Sequence, residues 1–208
     1  MQKTSFRTLQ KNRLAQHKKL KFKQDFIVFK ECFNLIKKTK AKNILIFIPL
    51  GYEPNLLKFR HIFSKNHKLF VPFMQDKSLK IVKLRLPFIK KRFGVLEPMD
   101  SFLKTKIDIT IIPVIGVDRE LKRIGHGQGF YDRFFENLNY KPLVIFAQSI
   151  NAISEKKLTQ EHDIAGEFYI NPYKKYYKKD NKYDRITYRT YNRYSRSWNR
   201  IFSCKKNQ

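Results

Sequence analysis

Three short runs of mostly apolar, β-branched residues constrain the fold of this 208-residue chain more than any other feature. They are Ile44–Ile48, Ile107–Ile112 and Pro142–Ala147, and a proline directly follows each of the first two. Runs of this kind are typical of strands that are buried on both faces of a parallel sheet. The sequence therefore predicts a layered protein with a buried sheet at its centre.

The segments between these runs carry helical and further strand patterns. Phe26, Phe29, Phe33 and Ile36 recur at helical spacing, which predicts an amphipathic helix over residues 24–38. Further helices are expected over residues 5–20, 56–63 and 131–138, and further strands over residues 68–72 and 80–86. Strands that alternate with helices indicate an α/β domain, and we expect its ligand beyond the carboxyl ends of the strands.

A glycine-rich loop over residues 123–133, with the sequence Arg-Ile-Gly-His-Gly-Gln-Gly-Phe-Tyr-Asp-Arg, lies between a predicted strand and a predicted helix. Glycine permits positive φ and a close approach to a ligand, so the amides from Gly125 to Gly129 can form a phosphate cradle. Arg123 and Arg133 flank this cradle, and Asp132 is placed to bind a magnesium ion that bridges phosphates. We interpret the loop as a nucleoside triphosphate site that is neither a Walker loop nor a dinucleotide fingerprint.

Residues 171–208 differ in composition from the rest of the chain. They carry 12 basic and two acidic side chains, interleave tyrosine with arginine, and contain no buried-strand run. Such a segment buries too little apolar surface to offset its ordering entropy. We therefore expect one domain over residues 1–170 and a disordered, basic tail over residues 171–208.

The formal net charge of +28 gives a second functional hypothesis. Dense lysine and arginine release counterions from a nucleic-acid backbone, and the tail's tyrosines and arginines could stack on single-stranded RNA. Lysines spread over a surface equally well form a solvated face. A nucleic-acid-binding protein on a degenerate α/β scaffold is thus the alternative to an enzyme, and the tail is where such contact is expected.

Cysteine content and hydropathy set the expected environment. Cys32 and Cys204 give no disulfide framework and no metal-binding spacing. No segment approaches about 18 consecutive apolar residues, and the N-terminus lacks the apolar region of a secretory signal. We expect a cytoplasmic, monomeric protein with no membrane partner.

The loop and its flanks closely resemble the signature of the 5-formyltetrahydrofolate cyclo-ligase family, also called methenyltetrahydrofolate synthetases. The matching signature is Pro113–Asp118, four further residues, and then residues 123–133. Other landmarks of that family occur in the same order, namely Lys3-x-x-Phe6-Arg7, Arg13, Glu53, Gly94–Pro98, Gln148 and the pair His162–Asp163. The resemblance covers residues 3 to about 170.

The resemblance implies a three-layer α/β/α fold with a Rossmann-like, mainly parallel sheet. It also implies a reduced folate as substrate, ATP as co-substrate, and Mg²⁺ held by Asp132 and Asp163. Arg123 and Asp132 are the implied catalytic residues. The implied nucleotide-binding residues are Lys3, Thr4, Ser5, Phe6, Arg7, Arg123, Ile124, Gly125, His126, Gly127, Gln128, Gly129, Phe130 and Tyr131. The implied folate-binding residues are Glu53, His126, Gly127, Gln128, Gly129 and Phe130.

Each assignment has a simpler structural alternative. Asp132 could cap a helix or complement its dipole, and Asp163 could be an ordinary turn carboxylate. Glu53 could be a solvent-exposed loop acid. Lys3 and Arg7 could be solvated charges on a basic helix.

Three departures from the family pattern are visible. The glycine usual in the turn before Arg123 is missing, and Leu121 lies in that turn. The threonine often found after the folate glutamate is absent, with Asn55 in its place. Gln128 is neutral where the family often has lysine, which removes a cation near the γ-phosphate. Gln148 we leave outside the binding set, because it could simply satisfy a backbone group at a strand end.

Overall fold

A computed structural model describes residues 2–16, 21–75, 78–90, 96–100, 105–178 and 187–190. The helices are α1 (Lys3–Gln16), α2 (Lys21–Ile36), α3 (Arg60–Phe63) and α4 (Phe130–Glu136), with a 3₁₀ helix at Leu56–Phe59. The strands are β1 (Asn43–Ile46), β2 (Lys68–Gln75), β3 (Ser78–Lys83), β4 (Ile89–Lys90), β5 (Leu96–Glu97), β6 (Ile109–Pro113), β7 (Gly116–Val117), β8 (Arg123–Ile124), β9 (Leu143–Ala147), β10 (Phe168–Ile170), β11 (Lys174–Tyr177) and β12 (Thr187–Thr190).

Within the described residues, eight strands form the main sheet in the order β12-β11-β10-β9-β6-β1-β2-β3. The five strands from β10 to β2 are parallel, whereas β3, β11 and β12 pair antiparallel at the two edges. The chain moves outward from β1 to β3, then returns to β6 and moves outward in the other direction. Open α/β sheets bind ligands beyond the carboxyl ends of the strands where the order reverses, which here lies between β1 and β6.

The sheet is covered on both faces, as the resemblance implied. Ile44 and Ile46 pack with Phe29 and Phe63 in the cluster that α2, α3 and the 3₁₀ helix form on one face. Leu45, the residue between them, packs with Phe134 of α4 on the other face. Successive strand residues point to opposite faces, so a strand buried on both faces needs the continuous apolar run seen in the sequence.

Helix α1 lies over the segments that follow β6 and β9. Its Leu14 packs with Ile115, Ile150 and Ala152, and the whole cluster is buried. Phe6 is 2% exposed, and a Cβ added to Gly116 would lie 2.7 Å from its ring and 2.6 Å from the Ala152 carbonyl oxygen. Because residue 116 is glycine, Phe6 can pack closely there. This contact holds the first turn of α1 against the carboxyl ends of the strands.

The predicted elements agree with the structure to within a few residues in most cases. The three buried runs are β1, β6 and β9, and the predicted α/β fold is confirmed. The helix expected over residues 5–20 begins at Lys3, and the structure describes it to Gln16. The helix expected over residues 56–63 starts as a 3₁₀ turn before α3. Part of the landmark Gly94–Pro98 lies outside the described residues.

The sheet continues past residue 170, where we expected the domain to end. Strand β11 pairs with β10, and Tyr176 stacks on Tyr169 with ring centroids 5.6 Å apart. Lys175 also binds the Glu31 carboxylate of α2 at 3.2 Å. Strand β11 lies between β10 and β12 and buries a single tyrosine, so it gives no run that a pattern search could detect. The predicted disorder otherwise falls on residues 179–186 and 191–208, which lie outside the described residues.

Among the residues that the structure describes, no helix is both long enough and apolar enough to span a bilayer.

Candidate active site

The glycine-rich loop leaves β8, crosses the carboxyl end of the sheet and starts α4. A Cβ on Gly125 would clash with the guanidinium of Arg123, so a larger residue there would force that side chain to move. Gly127 has φ of 105° and Gly129 has φ of 67°, values that L side chains rarely adopt. Gly129 is also the N-cap residue of α4. The glycines thus serve two needs, close packing of Arg123 and a left-handed backbone ahead of the helix.

Arg123 is the buried cation at the centre of the site. It is 6% exposed, its Nη1 lies 3.7 Å from Asp132 Oδ2, and its guanidinium stacks on the Tyr131 ring at 4.8 Å. Burial lowers the pKa of Arg123, while the charges of Asp132, Glu53 and Asp163 oppose that shift. The side chain stays a cation because guanidinium pKa values start so high. One arginine therefore lies within electrostatic reach of all three predicted carboxylates.

Asp132 lies in the first turn of α4, where a carboxylate complements the helix dipole, as one of its structural alternatives required. The N-cap residue of that helix is Gly129, and no side-chain cap hydrogen bond is found there among the described residues. One oxygen of Asp132 faces Arg123, and the other, Oδ1, is buried and has no hydrogen-bond partner within the described part of the chain. A buried carboxylate oxygen without a partner is costly, which makes this atom a natural ligand position for a cation.

Asp163 binds the predicted phosphate-binding lysine. Its carboxylate oxygens lie 2.7 and 2.6 Å from Lys3 Nζ, and it also accepts a bond from the Gln160 amide at 2.7 Å. Burial works against ionisation, but the Gln160 amide and the Lys3 ammonium hold the pKa of Asp163 below its usual range. Asp163 is thus both a turn carboxylate and a member of the site.

Two basic side chains of helix α1, Lys3 and Arg7, contact residues of the site. Arg7 Nε donates to the carbonyl oxygen of Gly125 at 2.8 Å, so Lys3 and Arg7 are not merely solvated. Thr4 and Ser5, which lie between them in the first turn of the helix, are exposed. Phe6, also predicted to bind nucleotide, has its side chain in the core. The structure therefore brings Lys3 and Arg7 into the site and leaves the side chains between them outside it.

A further carboxylate, Asp118, is hydrogen-bonded to two segments of the chain that lead into the site. Its Oδ1 accepts the amides of Glu120 and Lys122, and its Oδ2 accepts the amides of Leu158 and Thr159, at 3.0 to 3.2 Å. It is fully buried. The first pair leads into Arg123 and the second into Asp163, so one side chain fixes the segments that carry both.

Glu53 follows β1 and is buried, in contrast to the solvent-exposed alternative. It is 3% exposed, and its Oε2 accepts the Leu50 amide at 2.9 Å. Burial raises the pKa of Glu53 to about 7, although the Leu50 hydrogen bond and the charges of Arg123 and Lys21 lower it. A carboxylate in this state can accept N–H groups of a ligand strongly, because little water competes for it.

The remaining loop residues lie at different depths. Ile124 is buried, whereas Gly127 and Gln128 are exposed. The Phe130 ring lies 5.5 Å from the Arg133 guanidinium, which donates to the Gln128 carbonyl oxygen at 2.7 Å. Burial raises the pKa of the Tyr131 hydroxyl, so this ring stays neutral.

His126 is half-buried and is hydrogen-bonded through Nε2 to the Tyr52 hydroxyl. Tyr52 was not among the predicted site residues, although it directly precedes Glu53, which was. Asp118 was part of the quoted signature, so its role could have been sought there. Gln148 is fully buried and bonds the Val114 carbonyl oxygen and the Ser149 amide, as its structural alternative required.

Among the described residues, no three His, Cys, Asp or Glu side chains gather into a ready metal site. Asp132 and Asp163 can supply two carboxylate ligands, and phosphate oxygens and water suit the remaining positions of Mg²⁺. Basic side chains, loop amides and two carboxylates thus meet at the switch point of the sheet. The fold is that of an α/β protein, and open sheets of this kind bind their ligands where these side chains gather.

Comparison with known proteins identifies the family. The model of the 5-formyltetrahydrofolate cyclo-ligase family matches residues 2–155. The 5-formyltetrahydrofolate cyclo-ligase of Haemophilus influenzae is 25% identical over 154 residues, which cover 65% of this chain and 78% of the relative. The chain belongs to the 5-formyltetrahydrofolate cyclo-ligase family.

Two solved structures share the fold. The NMR structure of the Aquifex aeolicus 5,10-methenyltetrahydrofolate synthetase superposes with a TM-score of 0.67 at 20% identity, over 83% of this chain and 90% of that one. The 5,10-methenyltetrahydrofolate synthetase of Mycoplasma pneumoniae gives a TM-score of 0.66 at 19% identity, over 83% and 99%. At these identities the likeness supports the architecture alone.

Proposed function

We propose that the protein catalyses the ATP-dependent cyclisation of 5-formyltetrahydrofolate to 5,10-methenyltetrahydrofolate, with release of ADP and phosphate. Membership of the family supports the reaction. One observation supports its location: Arg123 is buried at the switch point, within electrostatic reach of Glu53, Asp132 and Asp163. The same cation can therefore act on a phosphate on one side and lie near the folate on the other.

The chemistry requires the formyl oxygen to become a leaving group. That oxygen attacks the γ-phosphorus of ATP, the bond to the bridging oxygen breaks, and ADP leaves. Nitrogen 10 of the folate then attacks the formyl carbon of the resulting iminium phosphate. The carbon–oxygen bond breaks, phosphate departs with the former formyl oxygen, and the proton of nitrogen 10 is released. Phosphoryl transfer of this kind depends mainly on positioning and charge neutralisation.

The side chains on the nucleotide side supply that neutralisation. We assign Lys3, Arg7 and Arg123 to the phosphates, with the loop amides from Gly125 to Gly129 as the cradle. Because Arg123 is buried, little water screens its charge, so it stabilises a developing negative charge more strongly than an exposed arginine.

On the folate side we assign Glu53 to the pterin ring. Its carboxylate can accept two neighbouring N–H groups of that ring in a bidentate arrangement. His126 and Phe130 belong to the same loop as the phosphate cradle, so a folate held at Glu53 is brought towards the γ-phosphate.

Asp132 and Asp163 are the residues that fit Mg²⁺. The buried Oδ1 of Asp132 has no hydrogen-bond partner among the residues that the structure describes, and Asp163 is ionised through its pairing with Lys3. When bound, the ion would neutralise charge on the phosphate oxygens. Both carboxylates already lie beside the cations that we assign to those phosphates.

The test is to incubate purified protein with 5-formyltetrahydrofolate, ATP and Mg²⁺ and follow absorbance of the methenyl product. We expect ATP-dependent product, and a large loss in Arg123→Lys, which keeps the charge but loses the planar, stacked guanidinium. Circular dichroism should show that this variant remains folded. Well-folded wild-type protein that binds ATP and forms no product would refute the proposal.

The alternative function, nucleic-acid binding, is supported by net charge alone. If it were the main activity, RNA affinity should survive Asp132→Asn and disappear when residues 179–208 are removed.

A further inference from the structure

Tyr52 lies beside Glu53 on the loop that follows β1. Its ring packs against the buried cluster of Leu14, Ile115, Ile150 and Ala152. Its carbonyl oxygen accepts the Ser149 hydroxyl at 3.1 Å. Backbone and ring are therefore both fixed to the rigid end of the sheet, and the hydroxyl has little freedom to move.

That hydroxyl is hydrogen-bonded to Nε2 of His126 in the glycine-rich loop, and the two rings are tilted at 43° with centroids 5.7 Å apart. Burial and the neighbouring Glu53 raise the pKa of Tyr52 to about 12. Burial and the charges of Arg123, Lys11 and Arg7 lower the pKa of His126 to about 4. Both groups are thus neutral at neutral pH. We assign the tyrosine hydroxyl as the donor, because a neutral imidazole nitrogen is the stronger acceptor.

A neutral imidazole that accepts at Nε2 must carry its proton on Nδ1. The contact therefore selects one tautomer of His126 and leaves an Nδ1–H donor as the polar group that this side chain can offer a ligand. It also links the loop that carries Glu53 to the loop that carries the phosphate cradle.

We infer that Tyr52 is a positioning residue that fixes the tautomer of His126 and couples the folate side of the site to the nucleotide side. This inference rests on the proposed function. A ligand that orders the Glu53 loop also orders His126, and a ligand that orders the glycine-rich loop also orders Tyr52. The two ligands should then bind cooperatively, by the same factor in either order of addition.

Tyr52→Phe tests the inference, because it keeps the packed ring and removes only the hydroxyl. We would titrate 5-formyltetrahydrofolate by calorimetry, with and without Mg²⁺ and a non-hydrolysable ATP analogue. The nucleotide should tighten folate binding by about fivefold in the wild type and by less than about twofold in Tyr52→Phe. His126→Asn should lose the same coupling, and the double variant should lose no more.

Tyr140→Phe is the matched control, since the Tyr140 hydroxyl accepts the Ile107 amide at 3.1 Å before β6, at the amino end of that strand. It should leave the coupling unchanged. Equal coupling in the wild type and Tyr52→Phe would overturn the inference while leaving the proposed function intact. Wild-type protein that binds no folate would overturn both.

A measurement without ligands further separates the inference about Tyr52 from the proposed function. Nitrogen NMR of the His126 ring, assigned with His126→Asn, should show a single Nδ1–H tautomer in the wild type and a mixture in Tyr52→Phe. The same mixture in both proteins would refute the positioning role whatever the protein's substrate is.

Discussion

Lys3 and Asp163 form an ion pair in which the ammonium nitrogen lies 2.7 and 2.6 Å from the two carboxylate oxygens. The pair joins the first turn of α1 to the segment that precedes β10. It also joins a side chain that we assign to phosphate to one that we assign to Mg²⁺. Each ligand must displace part of an existing ion pair, so the two are expected to bind best together.

Lys3→Met should make this visible. The change frees Asp163 from its cation, so affinity for Mn²⁺ alone should rise about fivefold, equivalent to about 1 kcal/mol for a partly exposed ion pair. Affinity for ATP should fall, because a phosphate-binding cation is lost. Electron paramagnetic resonance of free Mn²⁺ measures the first effect, and calorimetry measures the second.

Lys80→Met is the control, since Lys80 binds Asp100 at 2.6 Å in a pair of similar length away from the site. It should change neither affinity. Unchanged Mn²⁺ binding in Lys3→Met would show that the ion pair does not restrain the metal-binding carboxylate.

Asp132→Asn should reduce turnover far more than folate affinity. The amide removes a negative charge beside Arg123 and the buried oxygen that we assign to the metal, so we expect a loss of about 100-fold in kcat. Initial rates over a range of folate concentrations separate kcat from KM. Asp108→Asn, at the opposite end of the sheet, replaces a carboxylate that binds the Lys42 and Asn43 amides and should keep normal kcat. Normal kcat in Asp132→Asn would return that residue to a structural role.

Folate affinity should increase as the pH is raised from about 6 to about 8. Burial raises the pKa of Glu53 to about 7, so its carboxylate, the form that accepts pterin N–H groups, becomes dominant over that range. Glu53→Gln should bind weakly and show little pH dependence. Calorimetric titration with 5-formyltetrahydrofolate provides the measurement, and a flat profile in the wild type would contradict it.

The contribution of Glu53 to protein stability should fall over the pH range in which folate affinity rises. The folded pKa of about 7 exceeds the ordinary glutamate pKa of 4.5, so the native state binds more protons between these values. The contribution of Glu53 to the free energy of unfolding is therefore greatest below about pH 4.5 and is lost as the pH rises through 7.

Leu121 combines a strained backbone with a buried side chain. Its φ is 53°, and it is fully buried in the cluster beside Val117 and Tyr169. Leu121→Ala should destabilise the protein by about 2–5 kcal/mol, because the cavity remains and the strain is kept. Leu121→Gly removes one more methyl, worth about 0.8 kcal/mol, but relieves about 1–2 kcal/mol of left-handed strain.

Urea denaturation should therefore find Leu121→Gly no less stable than Leu121→Ala. At an ordinary position the glycine variant would be the weaker of the two. A glycine variant that is less stable by about 1 kcal/mol would show that the strain at Leu121 is small.

The sequence was sufficient to predict what depends on periodicity and on rigid motifs. Apolar runs identified β1, β6 and β9, because burial on both faces leaves no room for polar residues. Glycine spacing located the loop around Arg123, because positive φ and close approach restrict the residue type. The roles of individual residues remain predictions. The structure pairs Lys3 with Asp163 and Arg123 with Asp132.

What could not be predicted depends on contacts between distant segments. Tyr52 reaches His126 across 74 positions, and Asp118 reaches Thr159 across 41, so neither contact follows from local spacing. The hairpin of β10 and β11 was missed because β11 buries a single tyrosine. Long-range hydrogen bonds leave no periodic trace in a sequence.

The stacked pair Tyr169 and Tyr176 determines where the gene can be shortened. The Tyr169 hydroxyl accepts the Ala152 amide and donates to the Ile150 carbonyl oxygen, directly beneath the seat of α1. A chain that ended near residue 170 would lose Tyr176, which stacks on the Tyr169 ring. The packing beneath α1 would then be weakened. An affinity tag or fusion partner therefore belongs after Thr190, the last residue of β12, even though the recognisable family pattern has ended by then.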